Sequence, residues 1–311
     1  MIATITLNPS VDKRYFVTDF QKDGVFRAKE TQETAGGKGL NVARVIKSLD
    51  EPVITTGFIG GKNGQIIEEK LNELQIIDEF VKIEGETRNC IAILSDDSSQ
   101  TEILESGPSI SQKEIDKFLV RYDEILSKAT ILCASGSIPH NLPRDIYKEL
   151  ILRAKEYNVK FLLDTSGDGF KTGIESAPYL VKPNKEELEE LTEISIESEE
   201  DIIISGKELL KKGIEIVVIS LGGEGSIVFS RDNIFKVKLP NVTVVNPVGS
   251  GDSMIAGFAV ALKRGYSIEK MIKFASATGT ANAMEKETGK VSREIVMELM
   301  DKIKVEVISK R

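Results

Sequence analysis

The chain has 311 residues, 41% of them hydrophobic and 29% charged, enough to bury the core of one large α/β domain or two smaller ones. Its net charge of −8 argues against a protein that tracks nucleic-acid phosphates, although a local basic clamp inside an acidic protein can still hold a small anion. Two cysteines, Cys90 and Cys133, are too few for a disulfide scaffold, and the single histidine, His140, leaves no histidine-rich metal site and no Ser-His-Asp triad. The amino terminus shows no basic segment ahead of a long apolar one, and no run approaches the ~18 apolar residues of a membrane helix. The reducing cytoplasm is the expected location. His140 follows Pro139 and reads as a surface loop residue.

In chain order, short β-branched runs at Ile2–Leu7, Val53–Ile59, Thr130–Ala134, Lys160–Leu163 and Glu215–Ser220 predict strands. Helical apolar spacing separates them at Leu40–Leu49, Gln65–Leu74, Ile115–Leu126, Arg144–Tyr157 and Asp201–Lys212. Such alternation implies right-handed crossovers and a mostly parallel sheet covered on both faces. Two stretches break it, 14–34 and 87–106, where polar and apolar residues alternate with turn residues between. They predict half-exposed antiparallel strands, read either as two surface hairpins or as a small β-sheet lid over a substrate. The last third predicts strands at Ser226–Ser230, Ile234–Lys238 and Val242–Val245, then a small-residue-rich helical region from about Gly251 to Met284.

The sharpest local signal is Asn246-Pro247-Val248-Gly249-Ser250-Gly251-Asp252-Ser253, a Gly-rich turn opening a helix. Glycines here let backbone N–H groups converge, and the helix start adds partial positive charge, which together make an anion site. Asp252 conflicts with that site unless it handles a proton, as a base for a hydroxyl must; the alternative is a helix-capping aspartate. No GxxxxGK[ST] occurs, so this is not a Walker A loop. A second Gly-rich turn, Ala35-Gly36-Gly37-Lys38-Gly39-Leu40-Asn41, also opens a helix, and Lys38 and Asn41 can face one ligand; alone it could be mere loop chemistry. A nicotinamide enzyme would want G-x-G-x-x-G after the first strand, where Asn8-Pro9-Ser10 stands instead.

Together these segments resemble the paired signatures of the PfkB branch of the ribokinase-like carbohydrate kinases, over nearly the whole chain. Thr6-Leu7-Asn8-Pro9-Ser10-Val11-Asp12 and Gly85-Glu86-Thr87-Arg88-Asn89-Cys90 resemble the phosphosugar subgroup of tagatose-6-phosphate kinases and 1-phosphofructokinases. Ser135-Gly136-Ser137-Ile138-Pro139, Lys182-Pro183-Asn184 and Ser220-Leu221-Gly222-Gly223-Glu224-Gly225 match in order and spacing. Asn246 and Ser250, where many members carry Asp and Ala, resemble the tagatose kinases.

The resemblance implies a single ribokinase-like α/β domain, a mostly parallel sheet between two helical layers, with the lid attached. It implies transfer of phosphate from ATP, with Mg²⁺, to a ketohexose phosphate, tagatose 6-phosphate ahead of fructose 1-phosphate; a non-catalytic sugar-phosphate sensor is the lesser alternative. Asp252 matches the catalytic base, and Gly249, Ser250 and Gly251 the anion hole. Asp12, Gly37, Lys38, Asn41 and Arg88 match the sugar-phosphate site, with Arg27 a helper from the lid; Cys90, also on the lid, reads either as packing or as a substrate contact. Lys182, Asn184, Ser220, Gly222, Gly225 and Asn282 fall on the nucleotide side. Glu187 matches a metal-linked glutamate, though it lies in an acidic run that otherwise reads as a solvated helix face. No nucleic acid or membrane is expected as a partner. An exposed lid edge would invite a second copy of the chain, giving a homodimer.

Overall fold

The computed structural model describes residues 1–97 and 99–310. The expected lid segment 87–106 contains Ser98, which lies outside them. The first half of the chain runs β1 (Ile2–Thr6), β2 (Ser10–Val17), β3 (Glu30–Gly36), α1 (Lys38–Ser48), β4 (Val53–Gly60), α2 (Gly61–Glu73), β5 (Ile77–Asp78), β6 (Val81–Ile83), β7 (Arg88–Ser95), β8 (Gln100–Leu104), α3 (Gln112–Leu126), β9 (Ile131–Ser135) and α4 (Ile146–Glu156). The second half continues with β10 (Lys160–Asp164), α5 (Gly167–Gly173), β11 (Leu180–Val181), α6 (Lys185–Thr192), α7 (Glu199–Lys211), β12 (Ile216–Ser220), β13 (Ser226–Phe229), β14 (Asn233–Lys238), α8 (Ser250–Lys263), α9 (Ile268–Ala283), α10 (Arg293–Lys302) and β15 (Lys304–Lys310).

The main sheet has the order β15-β14-β13-β12-β11-β10-β9-β1-β4-β5, with β6 also pairing β4. From β12 to β5 every pairing is parallel, and the β12–β15 end is antiparallel. Its central strands are buried on both faces, so they read as continuous apolar runs. Ile131 and Cys133 face the layer that holds α1, α8 and α9, while Leu132 and Ala134 face the layer of α3, α4 and α7. β1 leads out to β4 on one side while β9 lies on its other side. That reversal opens a crevice at the carboxyl ends of the strands, where open α/β sheets take ligands.

The two segments that broke the alternation form a separate sheet of order β3-β2-β7-β8. Its hairpins are antiparallel as expected, but they join through a parallel β2–β7 pair, Ser10 beside Arg88 and Asp12 beside Cys90. Period-two spacing reports which face a side chain takes and carries nothing about the direction of a neighbouring strand, so the parallel seam was hidden.

The expected strand at Val242–Val245 is not one. Val244 and Val245 are exposed, and the segment runs extended toward the Gly-rich turn, with Val245 and Asn246 N–H donating to Ala283 O at 2.8 and 3.1 Å. A strand needs a ladder partner, and the free edge of β14 is taken by β15, which the sequence reading missed. The helical region after Gly251 divides at Gly265 into α8 and α9, which pack tightly on one another. At their crossing a Cβ on Gly257 would lie 2.6 Å from Ala275 Cα. A Gly→Ala change inside a helix ordinarily gains about 1 kcal/mol. Gly257→Ala should instead lose roughly 1–3 kcal/mol through overpacking. Urea unfolding of the variant reads the sign, and a stabilised protein would contradict the close approach.

Candidate active site

The carboxyl ends of β1, β9, β10, β11 and β12 lie side by side; Lys182, Asn184 and Glu187 follow β11, and Gly222 and Gly225 follow β12. The turn before α8 is held by side-chain amides. Asn246 Oδ1 accepts from Val248 N at 3.1 Å, and its Nδ2 donates to Lys286 O and Thr288 Oγ1. Asn282, fully buried on α9, donates to Val248 O and accepts from Gly289 N, both at 2.9 Å, so its amide is spent on this turn. Gly249 sits at φ +82°, where a Cβ would also strike Thr288, so only glycine can open the helix here. The N–H groups of Gly251 and Asp252 lie too near the helix start to find an i−4 carbonyl within it and point out of its end.

Asp252, in that first turn, is 6% exposed. Its carboxylate does not cap the helix; Oδ2 accepts from Asn41 Nδ2 at 2.7 Å. Burial, followed by the negative field of Asp164, pushes its carboxyl up to about 6, against the pull of Lys38, Asn41 and Lys182. Asp164 ends β10 and pairs with Lys182 Nζ at 3.3 Å, both of them buried. Lys38, in the first turn of α1, is held above the usual lysine range, by Asp164 first and then by Asp252 and Glu187, although its desolvation opposes this. Two cations and two anions therefore share one neighbourhood around the start of α8. α1 can approach this closely because position 39 is glycine: a Cβ there would lie 2.3 Å from Ile5 O.

The lid supplies the opposite wall. Ser10 Oγ donates to Asp12 Oδ1 at 2.6 Å, and burial raises the Asp12 carboxyl against Ser10 and the charges of Arg44, Arg88 and Arg14. Arg88 donates to Glu105 O at 2.8 Å and Asn8 O at 3.0 Å, and its Nε is buried without a partner among the described residues. Cys90, half-buried, neighbours Asp12, and burial raises its thiol. Arg27 is not gathered here. It is exposed on the loop joining β2 to β3, and Asp12 lies four residues back from Phe16 at the far end of the ladder, roughly 13 Å at 3.3 Å per residue.

On the other side, Ser220 ends β12 and its N–H donates to Pro183 O at 3.0 Å, which draws the Lys182-Pro183-Asn184 segment alongside it. Gly222 lies in the exposed turn that follows, and the turn is closed by Leu221 N donating to Gly225 O at 2.9 Å. Asn184 and Glu187 cap α6 reciprocally: Asn184 Oδ1 accepts from Glu187 N at 2.7 Å, and Glu187 Oε2 from Asn184 N at 3.0 Å. That box leaves Glu187 half-exposed and within the field of Lys38. Among the described residues no three His, Cys, Asp or Glu side chains cluster as a metal cage. His140, exposed as expected, lines a neighbouring 440 Å³ cavity with Ser137, Arg144, Thr165 and Asp168.

Two participants escaped the sequence reading. Asp164 carried a signal, a carboxylate closing an apolar parallel strand. Arg44 also did, standing three residues after Asn41 on the same helical face; its Nη2 donates to Asn41 Oδ1 at 2.5 Å.

With this geometry in place, comparison with known proteins gives a consistent answer. A curated tagatose-6-phosphate kinase from Staphylococcus epidermidis is 41% identical over 308 residues, 98% of this chain and 99% of that one. The crystal structure of Escherichia coli phosphofructokinase-2 in complex with fructose-6-phosphate superposes with a TM-score of 0.89 at 25% identity, covering 97% of this chain and 98% of that one. A Thermotoga maritima protein, described as a candidate 1-phosphofructokinase, matches with a TM-score of 0.91 at 29% identity, covering 99% and 100%. No described helix is long and apolar enough to cross a membrane. The sequence profile of the pfkB family carbohydrate kinases spans residues 2–294, and the chain belongs to that family.

Proposed function

We propose that this kinase moves the terminal phosphoryl group of ATP to the free primary hydroxyl of tagatose 6-phosphate, with Asp252 as the base. The observation that carries the reading is the buried Asp252 carboxylate, raised to about 6 at the mouth of an N–H-lined helix start and flanked by Lys38 and Lys182. A base tuned near neutrality is ionised at working pH yet still basic enough to accept a hydroxyl proton. The Gly251 and Asp252 N–H groups and the charge of Lys182 stabilise charge on the transferred group, which is most of what phosphoryl transfer asks of a protein. Lys38 and Arg88 anchor the phosphate already on the sugar, with Asp12 and Asn41 at its ring hydroxyls.

Carbohydrate kinases of this family use ATP, typically with Mg²⁺, and Mg²⁺ when bound spreads phosphate charge without needing a cage of protein ligands. Glu187, half-exposed and within the field of Lys38, fits that role. Asn184, Ser220, Gly222 and Gly225 line the nucleotide's approach, with Asn282 acting through the turn it braces.

Asp252→Asn should lower kcat by about three orders of magnitude while ATP still binds. A variant keeping half its turnover would remove Asp252 as the base. The same variant reports the carboxylate's cost to the fold. A carboxyl raised in the folded state contributes stability below its unfolded value of 3.8, and loses it as pH rises through about 6. Asp252→Asn should therefore be more stable than the wild type at pH 8, by roughly 2–3 kcal/mol, and no more stable at pH 4. Urea midpoints at the two pH values read this.

The relative carrying the substrate name is the Staphylococcus epidermidis tagatose-6-phosphate kinase, while the Thermotoga maritima match favours fructose 1-phosphate as second reading. Both sugars present a free primary hydroxyl once a clamp holds the phosphate at the other end, so ring hydroxyls near Asp12 and Asn41 must discriminate. Each polar group left unpaired by the wrong epimer costs ~1–3 kcal/mol. Tagatose 6-phosphate should give the highest kcat/KM when assayed beside fructose 1-phosphate and fructose 6-phosphate with Mg-ATP. A tenfold advantage for fructose 1-phosphate would reassign the acceptor and leave the kinase chemistry standing.

We also propose that two copies pair through their lids. Edge strand β8 exposes Ile103 and Leu104, 54% and 62% accessible, and Arg27 stands at the lid's distal end, where it meets an acceptor only across a subunit boundary. Light scattering should give twice the chain mass, and Leu104→Asp should shift it toward one; a wild-type monomer would remove the pairing.

A further inference from the structure

Arg44 lies on α1 one turn beyond Asn41, half-buried behind it. Its guanidinium makes three hydrogen bonds on three elements. Nη2 donates to Asn41 Oδ1 at 2.5 Å and to Thr288 O at 3.0 Å, while Nη1 donates to Ala35 O at the end of lid strand β3. Thr288 belongs to the loop that packs on the Gly249 turn, and lid residue Arg14 donates to its Oγ1 at 2.5 Å.

An asparagine side chain is nearly symmetric in shape, and only its partners decide which end faces where. An ionised carboxylate accepts and cannot donate, so Asn41 serves Asp252 only with Nδ2 turned toward it. The opposite orientation would set the amide oxygen against the carboxylate. Arg44 has no acceptor to offer, so its contact with Asn41 is satisfied only by Oδ1.

We propose that Arg44 is a positioning residue for the phosphoryl transfer: by claiming Asn41 Oδ1 it aims Nδ2 at Asp252, and by holding Ala35 O and Thr288 O it ties that pair to the lid and to the loop behind the catalytic turn. This rests on Asp252 being the base. The fork of the guanidinium is essential, since a lysine ammonium at the same place keeps the charge but is a compact point donor on a flexible stem. The charged groups around the pair are Lys38 on α1, Asp164 on β10 and Lys182 beyond β11, facing Asp252. Asp12 and Arg14 on β2 and Glu287 after α9 face Arg44. A lysine leaves all of these in place.

The test is the pH profile of Arg44→Lys. Losing the aimed donor should move the acid limb of kcat upward by about half a pH unit or more, because the ionised base is the form that Asn41 stabilises. On the high-pH plateau kcat should fall about tenfold from misplacement, with KM for ATP within about twofold. A folded variant with its acid limb unmoved, or with plateau kcat within twofold of wild type, overturns the proposal; a structural role alone would lower folded yield without moving the limb. If Arg44→Lys does not fold, the side-chain amide of Asn41 in the ¹⁵N-labelled wild type decides: one N–H proton shifting with a midpoint near the acid limb supports the aim, and a pair that is insensitive to pH overturns it. Inactive Asp252→Asn together with an unmoved Arg44→Lys profile would remove only the role of Arg44, whereas active Asp252→Asn would remove the base reading itself.

Discussion

Two carboxylates, Asp164 and Asp252, are buried within each other's field at the carboxyl edge of the sheet, and much of the surrounding architecture exists to make that tolerable. An isolated buried charge costs several kcal/mol, and like charges raise one another's proton affinity. Lys182 meets Asp164 at 3.3 Å, and Lys38 adds its charge to both carboxylates. The compensation is uneven. Asp164 has an ammonium in direct contact, while Asp252 has a neutral amide and lysines further off. The same neighbourhood therefore holds one carboxylate in an ion pair and leaves the other closer to protonation. That difference in environment sets the two carboxylates apart.

The fold delivers these groups from distant parts of the chain. Lys38 and Asn41 arrive on α1 and Asp252 on α8; α1 packs so closely on β1, and α8 on α9, only because positions 39 and 257 are glycine. α8 is buried almost all round, which is why its apolar positions show no clean stripe and why its polar first turn is conspicuous. The turn before it cannot relax: Gly249 has a left-handed backbone, and Asn246 and Asn282 hold the carbonyls and amides on either side. A helix start so fixed presents its N–H groups without reorganisation when charge develops nearby, which is the condition for electrostatic catalysis.

Alternation of strand and helix was legible because buried parallel strands and amphipathic helices differ in period, and Leu40–Leu49 or Lys160–Leu163 show it plainly. What stayed hidden depended on partners far away in sequence. Val242–Val245 has the composition of a strand, but β15 already occupies the edge of β14. The parallel β2–β7 seam joins segments some seventy-eight residues apart, a register that local spacing does not encode. The site divides in the same way. Asp252, Lys38 and Asn41 announced themselves through the glycines around them. Asp164 and Arg44 carry no such frame, since one looks like a strand terminus and the other like a solvated helical arginine, and their parts emerge only with the charges and carbonyls they meet.

The lid is bound to this centre by more than proximity. β3 runs directly through Gly37 into α1, so this lid strand and the helix carrying Lys38 and Asn41 are one continuous piece of chain. Arg14 from β2 reaches Thr288 and Lys286 O, on the loop that braces the Gly249 turn. A shift of the lid toward an acceptor therefore pulls on both walls of the site, through covalent chain on one side and through charge-assisted hydrogen bonds on the other. Such bonds are stronger than neutral ones and specific in direction. Asp12 and Arg88 would meet the sugar while the same sheet sets where Asn41 and the Gly249 turn stand. On the proposed assignment, acceptor binding and the placing of Asp252 draw on one set of contacts, so an acceptor with a mispaired ring hydroxyl would lose turnover as well as affinity.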